Sequence, residues 1–80
     1  MKLNKLSETE MEVLKIASRI KKLKNKKVDF SMYFDSLEML EFIEKLENKF
    51  DFKFEYKFIN KKNFSSIKNL SKLINKIEKK

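Results

Sequence analysis

The pair Asp35-Ser36 opens the one stretch of this sequence whose residue types and spacing could serve a chemical role. That stretch is YFDSLEMLEFIEKLENKF (33–50), in which apolar residues recur at helical spacing after the Asp-Ser pair. Serine and aspartate are common N-cap residues in front of such a pattern. A serine hydroxyl at a helix start is also exposed. Ser36 is therefore either a helix cap or a residue that the chain presents to other molecules.

Conventional catalysis has few residues to draw on here. The chain has no His, Cys or Gly, so the commonest general base, the thiolate nucleophile and the Gly-rich phosphate loop are all missing. The same composition offers no His or Cys ligand for a metal, and no metal site is predicted. Four glutamates of the stretch, Glu38, Glu41, Glu44 and Glu47, recur every third residue, which is typical of a solvated helix face. We therefore predict a protein that is not an enzyme.

Length and composition predict a single small domain over residues 1–80. No run of 18 apolar residues is present, so no membrane insertion is expected, and the start MKLNKLSETE lacks the apolar stretch of a signal peptide. With no Cys, the expected location is the cytoplasm. Because Gly and Pro are absent, turns that usually need Gly are expected to use asparagine, at Asn25, Asn48, Asn60 and Asn63.

The charge is unevenly distributed along a chain of net charge +8. Residues 1–27 carry nine Lys or Arg and three Glu, residues 28–56 carry three Lys and eight Asp or Glu, and residues 57–80 carry eight Lys and one Glu. The net charges of the three segments are therefore +6, −5 and +7. The acidic centre is either a surface for basic partners or a set of pairs for the flanking lysines.

Apolar spacing predicts an all-α fold, a small four-helix bundle of three main helices and a short third helix. The predicted helices cover about 7–23, 36–50, 58–62 and 66–77. The first begins with the capping box Ser7-Glu8-Thr9-Glu10. Residues 28–34 are interpreted as a loop, and 50–58 as an extended loop whose aromatic side chains enter the core, despite its strand-like alternation.

The second predicted helix contains the Asp-Ser motif at its start. Its core stripe is expected to consist of Leu37, Leu40, Ile43, Leu46 and Phe50, with Met39 and Phe42 beside it.

Taken together, these features resemble the phosphopantetheine-dependent carrier proteins, the acyl carrier and peptidyl carrier family, over roughly residues 7–77. The segment DSLEMLEFIEKLENKFDFKF looks like the serine motif and second helix of that family, with Glu41, Leu46 and Phe50 in the expected phase. The segment SSIKNLSKLI looks like the start of its last helix.

The resemblance implies that Ser36 carries a 4′-phosphopantetheine arm, whose thiol holds a cargo as a thioester. Such a protein is a discrete acyl carrier, monomeric, that delivers its cargo to enzymes of a biosynthetic pathway. The implied partners are a phosphopantetheinyl transferase, an acyl- or aminoacyl-loading ligase and downstream enzymes. Asp35 is either a docking residue for the transferase or a helix cap. The expected partner-binding residues are Leu37, Glu38, Met39, Glu41, Glu44 and Glu47.

One departure from the family pattern bears on this hypothesis. Most members have Leu-Gly-x before Asp-Ser, whereas this chain has Met32-Tyr33-Phe34, so a different path of the preceding loop is expected. The many phenylalanines would tend to fill the cavity in which fatty-acyl carriers hide their chain. The spacing between Phe50 and Ile67 looks more like aminoacyl or peptidyl carriers of the D-alanyl type, which is the first alternative.

A basic helical nucleic-acid-binding protein is the more distant alternative. The sequence pI of about 9.7 and the lysine clusters at 21–27 and 57–62 favour it. The acidic centre and the single arginine argue against it, and no nucleic-acid partner is expected.

Overall fold

The structure is a computed structural model that describes residues 6–23 and 27–78. It confirms the predicted all-helical bundle. Three long helices, α1 (Glu8–Ile20), α3 (Ser36–Phe50) and α4 (Ile67–Glu78), are joined by segments that contain a short helix, α2 (Phe30–Tyr33), and one 3₁₀ turn (Tyr56–Phe58). Helix α1 packs against both α3 and α4.

Side-chain caps set the starts of the long helices. Ser7 Oγ accepts from the Glu10 backbone N–H at 3.1 Å, and Glu10 Oε1 accepts from the Ser7 N–H at 2.9 Å, so the predicted capping box is present. In α4, Ser66 Oγ accepts from the Asn69 N–H at 3.0 Å. Helix α1 ends at Ile20, before the lysine run rather than at residue 23.

The predicted loop at 28–34 is wrong in one respect, because it contains α2. Asp29 accepts from the Ser31 N–H at 3.0 Å and starts this helix, whose first residue, Phe30, is fully buried. The helical turn predicted at 58–62 is found earlier, as the 3₁₀ turn Tyr56–Phe58. Residues 51–55 form neither helix nor strand, and Phe54 is buried, as expected for a loop with aromatic side chains in the core.

The core is built around a cluster of aromatic rings. Phe42 lies 5.0 Å from the ring centroids of both Phe30 and Phe34, and 6.3 Å from that of Phe64. The other fully buried side chains are Val13, Ala17, Leu46, Leu70 and Ile74. Through this cluster, α2 and the chain before α4 are fixed to the face of α3.

Asparagine does not take the place of glycine at a left-handed turn in the described residues. Their only positive φ is at Asp51 (58°), which ends α3. Of the asparagines expected in turns, Asn48 lies inside α3, Asn60 and Asn63 lie in a turn at negative φ, and Asn25 lies outside the described residues.

Candidate functional site

Asp35 caps α3 and leaves the neighbouring Ser36 hydroxyl free. Asp35 Oδ1 accepts from the Glu38 backbone N–H at 2.8 Å, and Glu38 Oε1 accepts from the Asp35 N–H at 2.9 Å. These two bonds form a second capping box. Ser36 is the first residue of the helix, is exposed, and makes no side-chain hydrogen bond to any described residue. The helix therefore does not need the Ser36 hydroxyl as a cap.

Lys21 connects the end of α1 to the residues on both sides of the Asp-Ser pair. Its ammonium donates to the Tyr33 carbonyl at 2.9 Å and lies 4.5 Å from the centroid of the Tyr33 ring. The same Nζ atom lies 3.7 Å from Glu38 Oε1, the atom that closes the capping box. The Tyr33 hydroxyl donates to the Lys22 carbonyl. We call the group Lys21, Tyr33 and Glu38 the Lys21 clasp.

In the resemblance described above Tyr33 corresponds to a glycine, and its backbone here does not need glycine. It is the last residue of α2, and its φ is not positive. The tyrosine side chain instead ties the approach to Ser36 to α1 through the Lys21 clasp. No feature of the sequence pattern around residues 21–33 pointed to this contact, because its partners are far apart along the chain.

An open cleft of about 580 Å³ lies beside Ser36. Its walls come from α2, the first half of α3 and the chain before α4. The apolar side chains that line it are Met32, Phe34, Met39, Leu40, Ile43, Ile59 and Phe64, and the polar ones are Ser31, Asp35, Ser36, Asn60 and Lys61. We call it the Ser36 cleft; the sequence did not indicate it, because residues 59–64 come next to α3 only through the fold.

The core stripe predicted for the second helix was wrong at its first two positions. Leu37 and Leu40 are 78% and 55% exposed, whereas Phe42, which was expected beside the stripe, is fully buried together with Leu46. Met39 is half-buried against the core. The aromatic cluster determines which face of α3 is buried, because Phe30, Phe34 and Phe64 all pack against Phe42. Leu37 and Leu40, with Met32 at 75% exposure, are left as exposed apolar side chains on α2 and α3.

The four glutamates expected on one recognition surface have different surroundings. Glu38 belongs to the capping box and the Lys21 clasp. The Glu47 side chain is only 15% exposed, accepts from the Phe54 N–H at 2.9 Å and lies 4.0 Å from the Lys53 ammonium. Glu41 lies 3.9 Å from Lys45, with both side chains exposed, and Glu44 is exposed with no ion pair to a described residue. The acidic surface is therefore smaller than predicted and is centred on Glu41 and Glu44.

The Ser36 hydroxyl lies beside two carboxylates that are engaged with backbone N–H groups, at the start of a long helix. No described side chain accepts a hydrogen bond from the Ser36 hydroxyl, and the adjacent carboxylates of Asp35 and Glu38 are engaged with backbone N–H groups. An anionic group on Ser36 would lie at the N-terminal end of a 15-residue helix, where the helix dipole favours negative charge.

No protein-family model matches this chain, and comparison with the curated proteins and with the solved structures found no match. Within the described residues, no helix has the length and apolar character needed to cross a bilayer.

Proposed function

We propose that the chain is a discrete carrier protein on which Ser36 bears a 4′-phosphopantetheine arm. One observation carries the proposal: the Ser36 hydroxyl is exposed at the first position of α3 and is not used for capping, because Asp35 takes that role. A modifying enzyme can therefore reach Ser36 and esterify it without breaking a bond that holds the helix. The sequence resemblance in the stretch DSLEMLEFIEKLENKF supplies the identity of the added group.

The surroundings of Ser36 are compatible with such an arm. Its phosphodiester would lie by the helix N-terminus, where backbone N–H groups and the helix dipole favour an anion. The Ser36 cleft begins at the attachment residue and offers an apolar wall from Met39, Leu40 and Ile43. An arm with an apolar cargo would bury surface there that otherwise contacts water.

The surface that we propose for partner enzymes combines apolar and acidic side chains. Leu37 and Leu40 are exposed on α3, and Glu41 and Glu44 lie on the same helix. Exposed apolar side chains would contact a partner, while the carboxylates would speed encounter with a basic surface. Met39 is a secondary contact, and Glu38 and Glu47 act mainly within this molecule.

The proposed partners are a phosphopantetheinyl transferase, a loading ligase and downstream biosynthetic enzymes. The proposed carrier is a monomer and acts in the cytoplasm. The main proposal for the cargo is an acyl group. The alternative of an aminoacyl or peptidyl cargo is favoured by one observation. Phe30, Phe42 and Phe64 occupy the interior beside α3 with their rings in contact, so a long chain would have to displace them.

The experiment that tests the proposal is intact mass spectrometry after incubation with coenzyme A and a broad-specificity phosphopantetheinyl transferase. We expect the mass of the wild-type protein to increase by one phosphopantetheine, and Ser36→Ala to remain unmodified. Ser18→Ala is the matched control, because Ser18 is also an exposed serine, within α1, and alanine is favourable there.

Circular dichroism of all three proteins establishes that they are folded. Failure of several transferases to modify folded wild-type protein would overturn the proposal, as would a mass increase that persists in Ser36→Ala.

A further inference from the structure

A basic groove lies between the chain segment 57–63 and α4. Its volume is about 580 Å³, and Lys57, Lys62, Lys72 and Lys76 line it, together with Phe58 and Leu73. The four lysines come from two regions of the sequence that only the fold brings together. We call it the α4 groove.

Asparagine side chains fix the backbone of segment 57–63, which forms the wall of the α4 groove opposite α4. Asn63 Nδ2 donates to the Phe58 carbonyl at 2.8 Å, and Asn69 Nδ2 donates to the Lys62 carbonyl at 3.0 Å. Asn60 Nδ2 likewise donates to the Lys57 carbonyl at 3.0 Å. These amides hold the backbone on which Lys57 and Lys62 stand. The charged groups left to meet a ligand are the lysine ammoniums.

The positive charge of this groove is largely unneutralised. Only Lys57 has an acidic partner, Glu55 at 3.6 Å, and none of Lys62, Lys72 and Lys76 forms an ion pair within the described part of the chain. No Asp or Glu among the described residues lines the groove.

A second basic groove, between α1 and α3, provides the contrast. It is lined by Arg19 and three lysines, and each of these lysines lies within 4 Å of a carboxylate: Lys15 and Lys49 of Glu12, at 3.9 and 3.6 Å, and Lys45 of Glu41, at 3.9 Å. A fixed carboxylate between two ammoniums competes with any added anion. The α4 groove is therefore the stronger site for an anion, although lysine is abundant in both.

Four lysine ammoniums suit a ligand that carries several negative charges, such as adjacent phosphate groups. Arginine is absent from the lining of this groove; Arg19, the one arginine of the chain, lines the groove between α1 and α3. Lysine binds phosphate as a point charge. Lys72 and Lys76 are one helical turn apart, a rise of about 6 Å, so that two neighbouring phosphates could each meet an ammonium.

We propose that the α4 groove binds a small ligand with two or more adjacent phosphate groups, such as a polyphosphate or a nucleoside polyphosphate. The volume lies within the range of about 300–1,000 Å³ typical of small-ligand sites. The proposal is independent of the modification of Ser36.

Isothermal titration calorimetry with inorganic tripolyphosphate and with ATP, on the unmodified full-length chain, tests this proposal. We expect saturable binding to the wild type and an affinity for tripolyphosphate about tenfold weaker in Lys72→Gln/Lys76→Gln, because two ammoniums are lost from the contact. The matched control is Lys15→Gln/Lys49→Gln, which lowers the net charge by the same amount and is expected to change the affinity less than about twofold.

A third titration uses a single-stranded oligonucleotide of mixed sequence. Equal weakening of tripolyphosphate binding in the two double variants would overturn the proposal, since the effect would then follow net charge alone. Saturable binding of the oligonucleotide without binding of tripolyphosphate or ATP would also overturn it, in favour of a nucleic-acid surface. Binding of ATP but not tripolyphosphate would overturn the assignment of the lysines as the recognition groups.

Discussion

Two adjacent residues, Asp35 and Ser36, divide roles that the sequence left open for both. The aspartate carboxylate accepts the Glu38 N–H and holds the first turn of α3, while the serine hydroxyl remains exposed and without a partner among the described residues. A serine that caps a helix cannot be esterified without weakening that helix. The division therefore makes modification at Ser36 compatible with a stable helix start.

Substitutions of Asp35 separate its capping role from a role in docking the transferase. Asp35→Ala removes the cap, and we expect it to lower the free energy of unfolding by about 0.5–2 kcal/mol, measured by urea denaturation. Asp35→Asn keeps a side chain that caps as well as aspartate, so the free energy of unfolding is expected to change by less than about 0.5 kcal/mol.

The rate of phosphopantetheine loading of these two variants then tests docking. If Asp35→Asn is as stable as the wild type and is loaded more slowly, the negative charge of Asp35 contributes to the encounter with the transferase. A large loss of stability in Asp35→Asn would contradict the assignment of Asp35 as an N-cap.

Sequence information was sufficient for residues whose role depends on near neighbours, and insufficient for those whose role depends on distant ones. The Ser7–Glu10 capping box was predicted because all its groups lie within four residues. Leu37 and Leu40 were placed in the core by spacing alone, yet they are exposed. Their exposure follows from contacts of Phe42 with Phe30 and Phe64, which are not encoded in the periodicity of α3.

At the scale of elements, α2 is the main difference between the prediction and the structure. Four residues are too few for a periodic pattern, so Phe30–Tyr33 was interpreted as loop. The helix is held by tertiary contacts: Phe30 is fully buried against Phe42, and Lys21 binds the Tyr33 carbonyl. Because α2 precedes Asp35 directly, these contacts also position the start of α3.

Truncation of the buried anchor of α2 tests this account. We expect Phe30→Ala to lower the free energy of unfolding by about 3–5 kcal/mol, through the lost burial and the cavity that remains. Met32→Ala is the matched control in the same short helix, because Met32 is 75% exposed, and a change below about 0.5 kcal/mol is expected. Urea denaturation followed by circular dichroism measures both. Similar losses in the two variants would mean that α2 is not anchored through Phe30.

In the whole molecule, positively charged side chains outnumber negatively charged ones, and this excess sets the balance between electrostatic attraction and repulsion. The chain has 20 Lys or Arg against 12 Asp or Glu. Two ion pairs of the described residues, Lys45–Glu41 at 3.9 Å and Lys57–Glu55 at 3.6 Å, have both side chains exposed. Exposed pairs of this kind contribute about 0–1 kcal/mol each. Lys62, Lys72 and Lys76 of the α4 groove form no ion pair with described residues, and they add repulsion that no described carboxylate lining the groove offsets.

Salt is therefore expected to stabilise this protein. An increase from about 0.02 to about 0.5 M NaCl shortens the screening length to a few Å and weakens repulsion between distant lysines more than the short ion pairs. We expect a gain of about 1 kcal/mol, which corresponds to a rise in Tm of roughly 4–8 °C in thermal denaturation of a domain this size. The Tm of Lys72→Gln/Lys76→Gln should rise less with salt, because part of the repulsion is already removed. A fall in Tm with salt would contradict this account, since it would mean that attraction within the surface ion pairs outweighs the repulsion among the lysines.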